Sequence, residues 1–275
     1  MSNPLVEVDL LYTPLETCER VSLGTLDGPA VAHMRGLGFD DAPVMDGTRV
    51  LGVVGVDSLL DLVRNGQPLT VDHVRLTDRR GWLACSANTR VPAGQILEAL
   101  VTERCTFVCD APPSLLNPAG PVRGFLTISD LNRHVFRTAM YLALAELEAR
   151  LALTIETRFP DPWDWIDRLN EDHRVQILGF WELSKRAGLD VGPVSGATLT
   201  NLLVVAARDL GIISTLGYAS KTKFEQAIGG IPTIRNAVMH PARPLVTKHS
   251  DVQRALKTLK LVTAMSKALE GASTR

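Results

Sequence analysis

Long apolar runs are missing from this chain, and no stretch approaches the roughly 20 residues that a membrane helix needs. The N-terminus carries Glu7 and Asp9 where a secretory leader would be basic, and no apolar run follows them. A soluble, cytoplasmic protein is expected. Cysteine is scarce too. The four cysteines, at 18, 85, 105 and 109, form no CxxC pair and have no histidine at zinc-ligand spacing. They read as reduced, mostly buried thiols, although Cys105 and Cys109 are close enough in sequence to be considered as a redox pair. There is no Gly-rich phosphate loop and no Cys–His dyad. Disorder is excluded by composition, since 45% of residues are hydrophobic and 21% charged. At 275 residues the chain can form one large domain or two modest ones, with enough apolar surface to need no metal or disulfide as a staple.

Charge is nearly absent overall, at −1, but it is unevenly placed. From Lys221 to Arg275 there are ten Lys or Arg and three Asp or Glu, which gives +7 and leaves −8 for the first 220 residues. A basic segment on a neutral protein suits phosphates, or is simply a solvated helix face. No aromatic interleaving accompanies it, so base stacking on this segment is not suggested.

A pattern occurs twice in the first half. Ala30 to Leu37 reads as a helix. Pro43 to Gly55 reads as a hairpin turning at Asp46-Gly47, and a helix follows from Asp57 with Leu59, Leu60, Leu62 and Val63 on its apolar side. Later, Gln95 to Arg104 reads as a helix, Thr106 to Cys109 and Val122 to Thr127 as strands around a Pro-rich insertion at 111–121, and a further helix starts at Asp130, which is also able to cap it. Gly52 matches Gly124, and Asp57-Ser58 falls within one residue of Asp130. Two copies suit a pseudo-symmetric pair better than a solenoid.

These two copies, over about residues 15 to 137, resemble CBS domains, whose paired form is called a Bateman module. The stretch Gly124-Phe125-Leu126-Thr127-Ile128-Ser129-Asp130 fits that family's Gly-x-x-Thr-x-x-Asp ligand motif. The resemblance implies nucleotide binding at Gly124, Thr127 and Asp130, with the Thr hydroxyl on a phosphate and the Asp carboxylate on ribose hydroxyls, usually of an adenine nucleotide. That division suits the groups, since a carboxylate accepts from a diol and a hydroxyl at a helix start meets an anion. The first copy departs from it, with Gly55 in place of Thr and Ser58 in place of Asp. At most one good site is therefore expected. A purely structural use of Thr127 as a strand residue and Asp130 as a cap is the rival.

From Leu131 onward the pattern is helical. Val135 to Ile155 is expected to be one long helix, continuous with the last helix of the second copy and ended by Pro160 and Pro162. Further helices are expected at Asn170–Ala187, Thr198–Leu210, Lys221–Ile228, Pro232–Met239 and Ser250–Leu269, with glycines between them and Pro232 in a first turn. Within this half, Arg235-Asn236-Ala237-Val238-Met239-His240-Pro241 resembles the Arg-x(4–6)-His motif of HEPN domains, small helical bundles of which many are metal-independent ribonucleases. The spacing alone also occurs at Arg168-x4-His173 and Arg243-x5-His249, but without the Asn after the Arg or the Pro after the His, and His249 falls in a Pro-flanked loop. An Arg in an ion pair and a His near a helix C-terminus would leave the motif purely structural.

If the resemblance holds, the chemistry follows from RNA itself. Its 2′-OH is the nucleophile, so no catalytic cofactor is required and a 2′,3′-cyclic phosphate results. His240 would exchange protons, since free imidazole titrates at about 6.5. Arg235 would hold the phosphate bidentately and Asn236 would orient it. Residues five apart on a helix point about 140° apart, so a homodimer, with two motifs facing across one cleft, is the expected arrangement. The expectation is thus an α+β protein: a CBS pair over 1–137, then an all-α HEPN-like bundle over 138–275. It is read as a ligand-regulated endoribonuclease with an adenine nucleotide as regulator, RNA as substrate and no membrane partner. The alternatives are a non-catalytic sensor dimer that binds RNA or a protein, and an unrelated enzyme regulated by the paired repeats.

Overall fold

The computed structural model describes residues 3–47, 49–75, 82–84, 89–103, 105–110 and 122–273. The Pro-rich stretch 111–121, Cys85 and Arg104 lie outside them. Among the described residues no helix is long and apolar enough to cross a membrane.

The first repeat is β3 (Val21–Ser22), α1 (Gly28–Gly36), β4 (Asp41–Asp46), β5 (Arg49–Gly55) and α2 (Val56–Arg64), preceded by β1 (Leu5–Glu7) and β2 (Thr13–Pro14). The second is β6 (Leu83–Ala84), β7 (Arg90–Pro92), α3 (Ala93–Thr102), β8 (Cys105–Cys109) and β9 (Val122–Thr127), followed by a 3-10 turn at Ile128–Asn132. In both, a short strand pairs parallel to the first arm of a hairpin: β3 with β4, and β6 with β8. The two hairpins also share a defect. Register shifts between Val44 and Met45 in one and between Val108 and Cys109 in the other, opposite Gly52 and Gly124 respectively. The matched glycines have a common cause. A Cβ at Gly52 would strike the Arg75 carbonyl, and one at Gly124 the Tyr12 ring, because each hairpin is crossed there by an additional segment. For β9 that segment is β2, with Thr13 opposite Phe125. The Asp46-Gly47 turn is as expected, and Gly47 takes φ +58, where side chains rarely go.

The two sheets meet face to face. Met45, Val50 and Val53 pack on Phe107, Phe125 and Trp82, whose rings lie 5.1 Å (Trp82–Phe107) and 5.3 Å (Phe107–Phe125) apart. Cys105 and Cys109 are buried in the same layer. Burial pushes the Cys105 thiol up to about 12, with Asp41 adding to the rise against the opposing Arg75. Such a thiol is almost never the reactive thiolate.

The helical half begins with α4 (His134–Arg158), then α5 (Trp163–Ile166), α6 (Glu171–Arg186), α7 (Leu199–Ala207), α8 (Leu210–Thr215), α9 (Lys221–Ile228), α10 (Ile231–Met239) and α11 (His249–Ser273). Caps set the starts: the side chains of Asn170, Thr198, Asp209 and Ser220 each accept from a first-turn amide. Two expectations fail here. The short helix α8 separates from α7 because Asp209 caps a new turn. The helix expected from Asp130 is instead the 3-10 turn, and Arg133 is extended (φ −66, ψ 149) between it and α4. Asp130 is therefore not the cap. Thr127 is, and the Asp130 carboxylate folds back onto it.

Packing is not divided as the chain order is. Apolar residues of the first repeat, among them Val21, Val31, Val44, Leu59 and Leu62, form their own cluster. Those of the second repeat, such as Leu97 and Leu126, belong to one cluster with Phe136, Trp165, Phe224 and Leu259 of the helices. Contacts of α11 with α3 and α4 carry this continuity.

Candidate functional site

A cavity of about 810 Å³ opens where the two repeats meet. The ends of the two hairpins form opposite walls. Gly55, Asp57 and Ser58 at the start of α2 line one, and Thr127, Ser129 and Asp130 line the other. Pseudo-symmetry thus brings the corresponding positions of the two copies into one space. Its size is within the ordinary range for a small-molecule site, about 300–1,000 Å³.

Asp130 is 7% exposed. Its Oδ2 accepts from the Thr127 backbone N–H (2.8 Å) and from the Thr127 hydroxyl (3.0 Å), while Oδ1 pairs with Arg133 Nη2 (2.9 Å). Burial pushes the carboxyl above its usual range, against the pull of the Thr127 amide, the Arg133 charge and the Thr127 hydroxyl. Two carboxylate oxygens offer about four acceptor positions, so the three contacts leave room for one ligand hydroxyl. Arg133 also donates to Thr13 Oγ1 (3.0 Å), which ties β2 to the same wall. Gly124 does not line the cavity; it lies beneath β2, against Tyr12.

A third wall has no precedent in the repeat pattern. Thr247, Lys248 and His249, from the start of α11, line the cavity with Thr127 and Asp130. The loop between α10 and α11 is fastened to the second repeat. Asn132 Oδ1 accepts from the backbone N–H groups of Leu245 (2.6 Å) and Val246 (3.0 Å), and its Nδ2 donates to the Val246 carbonyl (2.8 Å). Nε2 of His249 lies 2.9 Å from the Leu100 carbonyl, so His249 heads a helix rather than lying in a loop. Behind them Arg137, 7% exposed, donates to the carbonyls of Asn132 (3.0 Å), Ala237 (2.7 Å) and Arg243. Sequence reasoning missed this wall. Asn132 and Leu245 are 113 positions apart, and one side chain staple leaves no periodicity to detect.

Arg235, Asn236 and His240 lie outside the cavity, on and just after α10. The buried face of that helix is Ile231, Ile234 and Val238. Arg235 is half-buried and its charge acts on Glu148 of α4, whose carboxyl is raised by burial and lowered in part by Arg235 and by the Leu199 amide. Asn236 and His240 are exposed. His240 is extended (φ −114, ψ 92), as a residue before proline should be, and its N–H donates to the Asn236 carbonyl (3.1 Å). Arg235 thus sits within the electrostatic reach of a carboxylate, while Asn236 and His240 meet solvent. Of the rival pairs, Arg168 donates to the Arg208 carbonyl (2.6 Å) and His173 lies in the first turn of α6.

No family model matches the sequence, and no curated protein does. Similar solved structures are CBS-domain proteins that align with the N-terminal half. A CBS domain protein from Shewanella oneidensis MR-1 is 19% identical, covering 45% of this chain and 92% of its own, at a TM-score of 0.34. CBSX2 in complex with AMP is 19% identical over 50% of this chain and 97% of its own, at 0.34. The CBS domain of a bacterial CNNM/CorC family Mg2+ transporter in complex with ATP is 16% identical over 46% and 84%, at 0.33.

Proposed function

We propose that this chain is a nucleotide-regulated protein in which the paired repeats hold one adenine nucleotide and the helical half, over 138–275, acts as the output. The observation that carries this reading is the cavity of about 810 Å³ with Thr127 and Asp130 on one wall. Asp130 retains an acceptor position for a ribose hydroxyl, and the first repeat has Gly55 and Ser58 where the second has Thr127 and Asp130. One site per chain follows. Titration calorimetry with AMP, ADP and ATP tests it. Binding near one per chain, weakened by Asp130→Asn, supports the reading, and no heat with any of the three refutes it.

The output reading is metal-independent RNA cleavage by a homodimer through Arg235, Asn236 and His240. It is favoured by the exposure of Asn236 and His240 at the end of α10. Against it stands the nearby Glu148 carboxylate, whose negative charge opposes a phosphate at Arg235. A labelled-RNA assay in EDTA decides. Cleavage lost in His240→Ala but kept in His173→Ala and His249→Ala supports catalysis, and equal activity of His240→Ala and wild type leaves the non-catalytic sensor dimer as the reading.

A further inference from the structure

We infer that the cavity is a three-part site in which the helical half supplies Lys248 as the cation for the phosphate of a nucleoside monophosphate. This rests on the nucleotide reading above and adds a residue that the repeats themselves do not contain.

Arg133 on the second-repeat wall is engaged by Asp130, and Arg75 on the first-repeat wall reaches Asp41 at 3.4 Å. Lys248 has no carboxylate partner among the described residues, is exposed, and lines the cavity. Just ahead of α11, Asp251 Oδ2 accepts from the N–H groups of Thr247 (3.0 Å) and Lys248 (3.2 Å), so those two amides are already engaged. An anion on this wall is therefore met by the Lys248 ammonium rather than by these two amides. The wall is also firmly positioned, because Asn132, two residues after Asp130, holds Leu245 and Val246 directly before it.

The rest of the lining limits how much negative charge the ligand can bring. Glu19 and Asp40 line the cavity and have no cationic partner among the described residues. A polyphosphate would run toward these carboxylates with, among the described lining residues, one Lys or Arg free of a carboxylate partner to balance it. One phosphate at Lys248, with the ribose at Asp130, avoids that repulsion.

Calorimetry on the full chain with AMP, ATP and adenosine tests the inference. AMP is expected to bind more tightly than ATP and at least about tenfold more tightly than adenosine, as a charge-assisted contact implies. Lys248→Ala should weaken AMP about tenfold and leave adenosine unchanged, with Lys248→Arg recovering most of the loss. Asp130→Asn should weaken AMP and adenosine alike. Unchanged AMP affinity in Lys248→Ala, or an equal loss for adenosine, overturns the role of Lys248 while the nucleotide reading stands on Asp130→Asn. ATP binding more tightly than AMP overturns the single-phosphate assignment. A wild-type chain that binds none of the three removes both readings together.

Discussion

Replacing Arg137 with methionine should destabilise the protein by about 3–5 kcal/mol, since three carbonyls lose their donor at about 1–3 kcal/mol each and the relieved desolvation of the guanidinium offsets part of that. The structure sets the terms. Arg137 is 7% exposed and donates to three backbone carbonyls, on Asn132, Ala237 and Arg243. Hydrogen bonds from a charged donor contribute ~1.5–3 kcal/mol each, for a gross ~5–9 kcal/mol. Burial opposes this, since it lowers the guanidinium pKa and costs several kcal/mol of desolvation that methionine does not incur. Methionine keeps the apolar stem but leaves three acceptors unpaired, so the net is a loss. Urea denaturation at neutral pH reads it as a midpoint shift with an unchanged slope. Arg137→Lys, with one compact charge that cannot fork to three acceptors, should recover only part. A loss below about 1 kcal/mol, the level of an ordinary surface change, would refute the idea that this side chain clamps α10 and its following loop to the second repeat.

Gly124→Ala should cost about 1–3 kcal/mol by forcing β2 away from β9, whereas Gly179→Ala, in a helix with open space at its Cβ, should stabilise by about 0.5–1 kcal/mol. Thermal melts of the two variants moving the same way would contradict this. For Asp251, burial tends to raise the carboxyl, but the Thr247 and Lys248 bonds and Arg254 outweigh it and hold the pKa below 3.8. A depressed acid contributes stability that is full above the unfolded value and lost as pH falls through the folded one. The deficit of Asp251→Asn relative to wild type should therefore be constant near neutrality and shrink below about pH 4. A deficit that grows on acidification would show the sign to be wrong.

What could be read from the sequence was local or repeated. The hairpin at Asp46-Gly47, helices such as Lys221–Ile228, and the Gly52–Gly124 correspondence all rest on turn chemistry, caps or periodicity within a few residues. The glycine match was legible although its cause, the crossing of each hairpin by another segment, was not. The partners of β1 and β2 were hidden because strands of two or three residues, pairing with positions more than 80 away, have no pattern of their own. Asp130 was read as a cap because its side chain type fits one, but the choice between cap and third position depends on which residue turns extended first. The lining by Lys248 and His249 depends on Asn132 reaching across the fold. At Arg235 the motif gave the residue types, and the influence of the Glu148 carboxylate came only with the packing.

The separate apolar cluster of the first repeat makes the two halves of the cavity unequal in their cooperativity. The second repeat shares its interior with α4 and α11, so its hairpin strands and these helices are expected to unfold as one unit. The first repeat can loosen on its own at the cost of the sheet-to-sheet layer around Phe107. A ligand held between them then acts as a tether on the less anchored jaw. Its binding energy is expressed as slower amide exchange in α1, β4 and β5, with little change in α4, and the occupied and empty proteins differ chiefly in how often that jaw opens.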